Sequence, residues 1–227
     1  RRRVSIFKSI EMIKNIQQFD IIIFAVKPQI ATKVMHQFLA LEFKKSVLFI
    51  SVIAGRKISF FKKFLPRKNQ FIRVMPNMPA MIHEGMSCLV AGKNISKQNK
   101  DKASLLFNKV GKIQWLNNET ELDKITAISG SGPGYFFLFI DSLEKAAVKL
   151  GFSSKIAKEL VHQTALGSVK LLLSNSKTAA ELTKEIAIQG GTTEAAIKYF
   201  KKNNQLVKII EQAVKMAHKR AVELGKK

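Results

Sequence analysis

The stretch IAIQGGTTEAAIKYF, residues 186 to 200, places two glycines and two threonines at the start of a predicted helix. Paired glycines adopt the φ > 0 conformations that turn successive backbone N–H groups toward one point, and the positive end of the helix dipole adds to their field. A carboxylate fits such a turn, formed by Gly190, Gly191, Thr192 and Thr193. The simpler interpretation is that Thr192 or Thr193 is only the helix N-cap. Since a cap needs one hydroxyl, the second threonine is free to face a ligand.

Two turns follow the two most apolar predicted strands. AVKP ends the run DIIIFAV, and AGRK follows the run SVLFISVIA. In a doubly wound sheet, ligands bind in the crevice at the carboxyl ends of the strands. Pro28 ends the first strand, and the small side chains of Ala25 and Ala54 would let a flat ring or a phosphate chain approach the backbone. That these are ordinary strand ends stays open at this point.

A rigid polar loop is predicted in RVMPNMPAMIHEG, residues 73 to 85. Pro76 and Pro79 stiffen the backbone and forbid helix, so they present the Asn77 amide, which both donates and accepts hydrogen bonds. The loop is therefore either a binding element at a strand end or a structural Asx turn.

A segment rich in glycine and serine, ITAISGSGPGYFFLFIDSLEKA, leads into a strongly apolar helix. It lacks the lysine and the Ser/Thr that complete a P-loop, so we exclude a phosphate cradle of that kind. What remains is a sterically thin turn with the hydroxyls of Ser129 and Ser131 beside it. Either another helix or a ligand approaches it closely.

These segments lie in two kinds of predicted structure. Up to about residue 117, short β-branched runs alternate with lysine-rich amphipathic segments, which is typical of an α/β domain. DIIIFAV and VLFISVI are apolar on both faces, which indicates strands in the middle of a parallel sheet covered by helices. QFIRVMP, MSCLVAG and KIQWLN are further predicted strands, and a helix is predicted before the last of them.

From about Asp123 to the end, the pattern is helical. The last helix has one apolar stripe at spacings of three and four, rich in alanine and therefore suited to close helix packing. Its members are Leu206, Ile210, Ala213, Ala217, Ala221 and Leu224. The sequence thus predicts an α/β domain over residues 1–119 and an all-α domain over residues 120–227.

Composition restricts the possible functions. One cysteine, Cys88, excludes an internal disulfide framework and points to a reducing compartment, the cytoplasm. The four histidines lack metal-ligand spacing, so no metal is expected. The longest apolar runs are too short to span a membrane. The net charge of +23 is dispersed rather than interleaved with exposed aromatics, which favours a solvated surface over nucleic-acid binding.

Four of these segments occur in one known family, in the same order and at comparable spacings: AVKP, RVMPNMP with EG, DKITAISGSGPGY, and GGTTEAA. On these motifs the chain resembles the pyrroline-5-carboxylate reductases, and SGSGP together with GGTT is specific to that family. The resemblance implies a Rossmann-like parallel sheet followed by a helical dimerisation domain that interlocks with a second subunit, as a homodimer or a ring of dimers. It also implies reduction of the cyclic imine 1-pyrroline-5-carboxylate to L-proline, the last step of proline biosynthesis.

The resemblance assigns roles to particular residues. The GGTT amides would receive the substrate carboxylate, Ser131 would add a substrate contact, and Thr193 would reach the imine nitrogen as the catalytic residue. NADPH or NADH would be lined by Ala25, Val26, Lys27, Pro28, Val52, Ile53, Ala54 and Asn77. A protonated imine is already electrophilic, so positioning it supplies much of the acceleration and no carboxylate or histidine base is expected.

The chain departs from the family pattern in three places. The glycine-rich fingerprint is expected to precede Arg1, so cofactor affinity should fall without it. Ile188 and Gln189 stand where the family has serine followed by proline or lysine. The polar residue near the adenosine ribose has only imperfect counterparts, Met12 and Asn15.

Two alternatives therefore stay open. One is a non-catalytic remnant of such a reductase. The other is a related NADP-dependent imine or β-hydroxyacid reductase, for which Lys124 and Asp141 are the nearby candidates for a reacting residue.

Overall fold

The computed structural model describes residues 4–44, 46–66 and 68–226. Strands and helices alternate in its first part, and helices alone follow there from Glu121 onward. The strands are β1 (Ile21–Phe24), β2 (Leu48–Ser51), β3 (Gln70–Met75), β4 (Gly85–Ala91) and β5 (Gly111–Leu116). The α-helices are α1 (Ala31–His36), α2 (Ile58–Phe61), α3 (Lys97–Phe107), α4 (Glu121–Ile125), α5 (Gly132–Lys149), α6 (Ser154–Ser174), α7 (Ala179–Ile186), α8 (Thr192–Lys201) and α9 (Gln205–Lys226).

The described strands form one sheet in the order β1-β2-β3-β4-β5. β1, β2 and β3 are parallel, with α1 and α2 in the crossovers, as parallel neighbours require. β4 is antiparallel to β3, because only a short loop joins them, and β5 is again parallel to β4. The predicted α/β, Rossmann-like sheet is confirmed, with this one reversed pairing.

Both faces of β2 are buried. Phe49 packs on one face in a cluster with Phe24, Phe61 and Phe71, whose rings lie 4.8 to 6.4 Å apart between centroids. Leu48 and Ile50 pack on the other face, against residues of β3, β4 and α3. Successive side chains of a strand point to opposite faces, so this alternation requires cover on both sides. In this region the phenylalanines are core residues, as their apolar stripes predict.

β1 differs from its predicted place in the middle of the sheet. Among the described residues it pairs with β2 alone, and Ile23 is 43% exposed. The prediction used apolar composition, and composition does not distinguish a central strand from an outer one.

The chain divides into two compact units. The sheet unit runs to Ser131 and also includes the segment from Met216 onward, and the helical unit is Gly132–Lys215. The predicted boundary between residues 119 and 120 lies where the strands end and the helices begin. That the functional domains divide at this point stays a prediction.

Within the sheet unit, the end of α9 packs on the turn after β2. Gly55 has a positive φ of 73°, and a Cβ there would lie 2.9 Å from the Leu224 Cβ. Ala221, one turn earlier, is 5% exposed. The predicted last helix is confirmed, and the end of its apolar stripe is the part that is buried here.

Within the helical unit, much apolar surface is exposed. Four consecutive residues of α5, Phe136 to Phe139, are each more than half exposed, and α6 exposes further leucines and one valine. Among the described residues, no helix is both long enough and apolar enough to cross a membrane.

Candidate functional site

The turns after β1 and β2 lie side by side at one edge of the sheet. The parallel register pairs Phe24 with Ser51, and the Val52 amide donates to the Phe24 carbonyl at 3.0 Å. Residues 25–28 and 52–54 are therefore adjacent, as the predicted dinucleotide crevice requires. Side chains of this group differ in exposure: Ile53 is buried and Val26 packs against the core, whereas Ala25 and Lys27 are exposed. Pro28 begins a 3-10 helix, Pro28–Ile30, at a position where no N–H is needed.

Arg56 joins these two turns, which the sequence did not predict. Its Nη2 donates to the Pro28 carbonyl at 3.3 Å, and its guanidinium lies 4.8 Å from the centre of the Phe60 ring. Its Nε is buried without a hydrogen-bond partner among the described residues. A lone arginine after a strand could have been suspected from AGRK, but its partners come from the turn after β1 and from α2.

Asn77 connects its loop to the glycine- and serine-rich segment. Its Nδ2 donates to the Ser129 carbonyl at 3.0 Å, and its Oδ1 accepts from the Met86 amide at 2.8 Å. Both ends of the amide are therefore used within the sheet unit. A 3-10 helix, Met78–Ile82, follows Asn77, so the prediction that the prolines forbid helix is wrong for this turn. Pro79 sits near its start, where a missing N–H costs nothing.

The segment before α5 is a π-helical turn, Thr126–Gly130. The Ser131 amide donates to the Thr126 carbonyl at 2.8 Å, and the Ser129 hydroxyl to the Ile125 carbonyl at 3.3 Å. A Cβ on Gly130 would lie 2.9 Å from the Met75 Cε, so the thin turn is needed for packing against β3. The close approach predicted here is made by a side chain of the same unit. Ser131 itself is half-buried.

A buried ion network holds this part of the site together, and the sequence did not predict it. Arg73, in β3, has a side chain only 3% exposed, and its Nη1 lies 3.1 Å from the Glu119 Oε1. Its Nη2 lies 3.9 Å from the Asp123 Oδ1. The same Glu119 oxygen accepts from the Ile58 amide at 2.7 Å, at the start of α2. Partners this far apart in sequence leave no local pattern.

The GGTT turn opens α8 in the helical unit. Gly190 has φ +78° and Gly191 is extended, and Gly191 is the N-cap, so neither threonine caps the helix. The expected threonine cap is wrong, because Thr192 and Thr193 already lie in the first helical turn. Their amides are among those that have no intrahelical acceptor at a helix N-terminus.

The glycine amides of this turn have partners within the chain. The Gly191 amide donates to the Ile188 carbonyl at 2.9 Å, and the Gly190 amide donates to the Glu194 Oε2 at 2.9 Å. Lys198 pairs with the other oxygen of Glu194 at 3.0 Å. The hydrogen bond from Gly190, and then the one from Lys198, lower the pKa of Glu194 below its usual range. Glu194 stands three residues after the N-cap, the capping-box spacing, and that pattern could have revealed it.

The structure thus gathers the predicted residues into two groups. The sheet unit holds the adjacent turns of residues 25–28 and 52–54, and also the bonded pair of Asn77 and Ser129 with Ser131 nearby in sequence. The helical unit holds Gly190, Gly191, Thr192 and Thr193.

Comparisons with known proteins agree with these features. Residues 119–224 match the family model for pyrroline-5-carboxylate reductase dimerisation. The chain is 39% identical over 206 residues to the pyrroline-5-carboxylate reductase of Pseudomonas aeruginosa, covering 91% of this chain and 75% of the relative. The solved reductase of Coxiella burnetii superposes with a TM-score of 0.83 at 33% identity, over 93% of this chain and 78% of that one. That of Plasmodium falciparum, solved with NADP bound, gives 0.82 at 33% identity, over 92% and 78%.

A Rossmann-like sheet followed by a helical dimerisation domain places the chain in the class of NAD(P)H-dependent oxidoreductases. Within that class, the chain belongs to the pyrroline-5-carboxylate reductase family. The family's members reduce the C=N bond of pyrroline-5-carboxylate in proline biosynthesis. The resemblance inferred from the four motifs is confirmed.

Proposed function

We propose that this chain reduces 1-pyrroline-5-carboxylate to L-proline with NADPH or NADH. Family membership over most of the chain supports the reaction. The observation that carries the residue assignment is the GGTT turn, where a helix N-terminus places the amides and hydroxyls of Thr192 and Thr193 together in its first turn.

The residues at the carboxyl edge of the sheet fit a dinucleotide. Small Ala25 and half-buried Ala54 leave the backbone approachable, and Lys27 is exposed. The Nε of Arg56, which is buried and has no hydrogen-bond partner among the described residues, lies beside the same turns. Ala25–Pro28 and Val52–Ala54 would therefore hold the cofactor, with Val26 and Ile53 acting through their backbone because their side chains pack in the core. Asn77 would shape the neighbouring loop.

The cofactor, when bound, supplies the hydride that reduces the imine carbon. The protein's part is to bind and orient the ring. The Thr193 hydroxyl accepts a hydrogen bond from the protonated ring nitrogen and stays with that nitrogen as it becomes an amine. Because the cation is already electrophilic, orientation rather than acid–base catalysis provides the acceleration.

The substrate carboxylate is assigned to the amides of Thr192 and Thr193. The amides of Gly190 and Gly191 already donate within the chain, so these glycines contribute the shape of the turn. The dipole of α8 favours an anion at this end. Ser131 is proposed as a further substrate contact.

The dimerisation domain and the family support an oligomeric protein that acts on a small molecule. We propose a homodimer formed through the helical unit, and rings of such dimers as the larger assembly. The single cysteine supports a location in a reducing compartment, the cytoplasm.

The test is imine-dependent oxidation of NADPH by the wild-type chain and by Thr193→Ala. The substitution should lower kcat at least tenfold, since an interaction that orients the reacting nitrogen is lost, while the unfolding temperature stays within about 2 °C. Thr183→Ala is the matched control, because the Thr183 hydroxyl donates to the Ala179 carbonyl of its own helix. Equal kcat in wild type and Thr193→Ala at saturating imine contradicts the role of Thr193. A wild-type chain that never forms proline contradicts the function.

A further inference from the structure

The carboxylate of Glu194 ties Gly190, the first residue of the GGTT turn, to α8. Its Oε2 accepts from the Gly190 amide at 2.9 Å, and its Oε1 lies 3.0 Å from the Lys198 Nζ. This contact resembles the returning half of a capping box, in which a side chain at the third helical position accepts from the N-cap amide, but here the donor is the residue before the N-cap. The other half is missing because the N-cap, Gly191, has no side chain.

Such a tie is needed at this position. Gly190 is in the left-handed region at φ +78°. Within the described part of the chain, nothing packs within 4 Å of the place its Cβ would take, and Gly191 meets the Ile188 carbonyl there. Paired glycines lose more backbone entropy on ordering than other residues, so an unheld turn would sample other conformations. Two hydrogen bonds hold their amides, one to the Ile188 carbonyl and one to Glu194.

We propose that Glu194 is a positioning residue for the substrate. By fixing Gly190 it fixes the direction in which the amides of Thr192 and Thr193 point. Lys198 orients the carboxylate and balances its charge, so that a substrate anion at the neighbouring amides does not meet an isolated negative group. This inference rests on the proposed function and adds a residue to its binding site.

The simplest competing effect of Glu194 has the opposite sign. A carboxylate near a bound carboxylate repels it, so if Glu194 acted only through its charge, removing the charge would lower KM for the imine. Positioning predicts that removing the hydrogen-bond acceptor raises KM. Glu194→Gln separates the two effects, because it removes the charge and keeps an acceptor.

The experiment compares wild type, Glu194→Ala, Glu194→Gln, Lys198→Met and the control Glu185→Ala. Glu185, on α7, is a carboxylate of the same unit that pairs with Lys177, two residues before that helix. We expect Glu194→Ala to raise KM for the imine about fivefold with kcat within twofold, since a single exposed, charge-assisted hydrogen bond is lost. Glu194→Gln should recover most of the wild-type KM, Lys198→Met should show a smaller rise, and Glu185→Ala should show none. KM for NADPH should be the same in all five proteins.

Hydrogen exchange of the peptide covering residues 186–195 provides a readout that does not depend on turnover. Exchange should be about fivefold faster in Glu194→Ala than in wild type and nearly normal in Glu194→Gln. An inactive wild type with this exchange difference contradicts the proposed function and supports the role of Glu194 in ordering the turn. If the wild type is active, and KM for the imine is unchanged in Glu194→Ala or lowered in both Glu194 variants, the positioning role alone is overturned. A parallel loss of kcat, cofactor binding and folded structure in Glu194→Ala also overturns it.

Discussion

At the scale of single residues, the buried guanidinium of Arg73 connects the elements of the sheet unit that carry Asn77 and Ser129. Its side chain is 3% exposed, and its partners Glu119 and Asp123 come from the segment that leads toward the π-helical turn. A buried charge is tolerated only where partners offset its loss of hydration. Arg73 therefore holds β3, which leads into the Asn77 loop, to α4, which leads into Ser129.

Glu119→Ala should destabilise the protein by about 2–3 kcal/mol, because it leaves Arg73 with one distant partner and removes the acceptor of the Ile58 amide. The loss would be seen in urea unfolding at fixed protein concentration. Asp141→Ala is the control, since the Asp141 pair with Lys145 is exposed and such pairs contribute little. If Glu119→Ala lowers the free energy of unfolding by less than about 1 kcal/mol, the network does not stabilise the fold as proposed.

At the scale of elements, α7 leads to the GGTT turn and begins with a complete capping box. The Thr178 hydroxyl accepts from the Glu181 amide, and the Glu181 carboxylate accepts from the Thr178 amide at 2.7 Å. Because α7 is short and has no fully buried residue, capping supplies a large share of its order. The helix that precedes the GGTT turn is thus stabilised largely by its own N-terminal cap.

Thr178→Ala should speed hydrogen exchange in α7 about fivefold, the usual effect of losing a cap.

The backbone hydrogen bond from Thr178, and then that from its side chain, lower the pKa of Glu181 from its ordinary value of 4.5. A lowered folded-state pKa gives a contribution that is complete above pH 4.5 and is lost as the pH falls through the lower value. The difference in exchange between wild type and Glu181→Ala should therefore be constant from about pH 5 to pH 8 and shrink below about pH 4. A difference that persists unchanged at pH 3 would contradict a role for the charged form.

At the scale of the whole molecule, the exposed apolar surface of α5 indicates how the chain associates. Phe136 and Leu138 are each 67% exposed, and neighbouring helix positions lie about 100° apart, so the exposed surface extends around much of the helix. Contiguous apolar surface of this kind marks an association site, and it falls within the matched dimerisation domain.

Leu138→Glu should shift the assembly toward a 25.5 kDa monomer, because a charge would be buried without a partner in the interface. Light scattering after gel filtration measures the mass, and circular dichroism checks that the helices persist. Lys149→Glu, at the end of the same helix, is the control and should leave the mass unchanged. A dimer that survives Leu138→Glu at low micromolar concentration would place the interface elsewhere.

Much of this protein could be predicted from local pattern. Short apolar, β-branched runs predicted β1 through β5, and spacings of three and four predicted α9. The turns of residues 25–28 and 52–54 were predicted from the strands before them. These features depend on residues within one strand or one turn of each other. The place of β1 at the side of the described sheet was missed, because an apolar strand looks the same in either position.

By itself, the sequence determined the local conformations and the family motifs: strands, helices, and glycine turns where side chains would be strained or crowded. Only the tertiary structure decided which distant groups meet. In it β4 pairs antiparallel with β3, and the Asn77 amide bonds both Ser129 and Met86. Arg73 likewise meets its carboxylate partners only through packing. The physical reason is that periodicity and turn preference act between near neighbours along the chain. A buried polar group, by contrast, must be satisfied by whatever packing brings within about 3 Å, regardless of its position in the sequence.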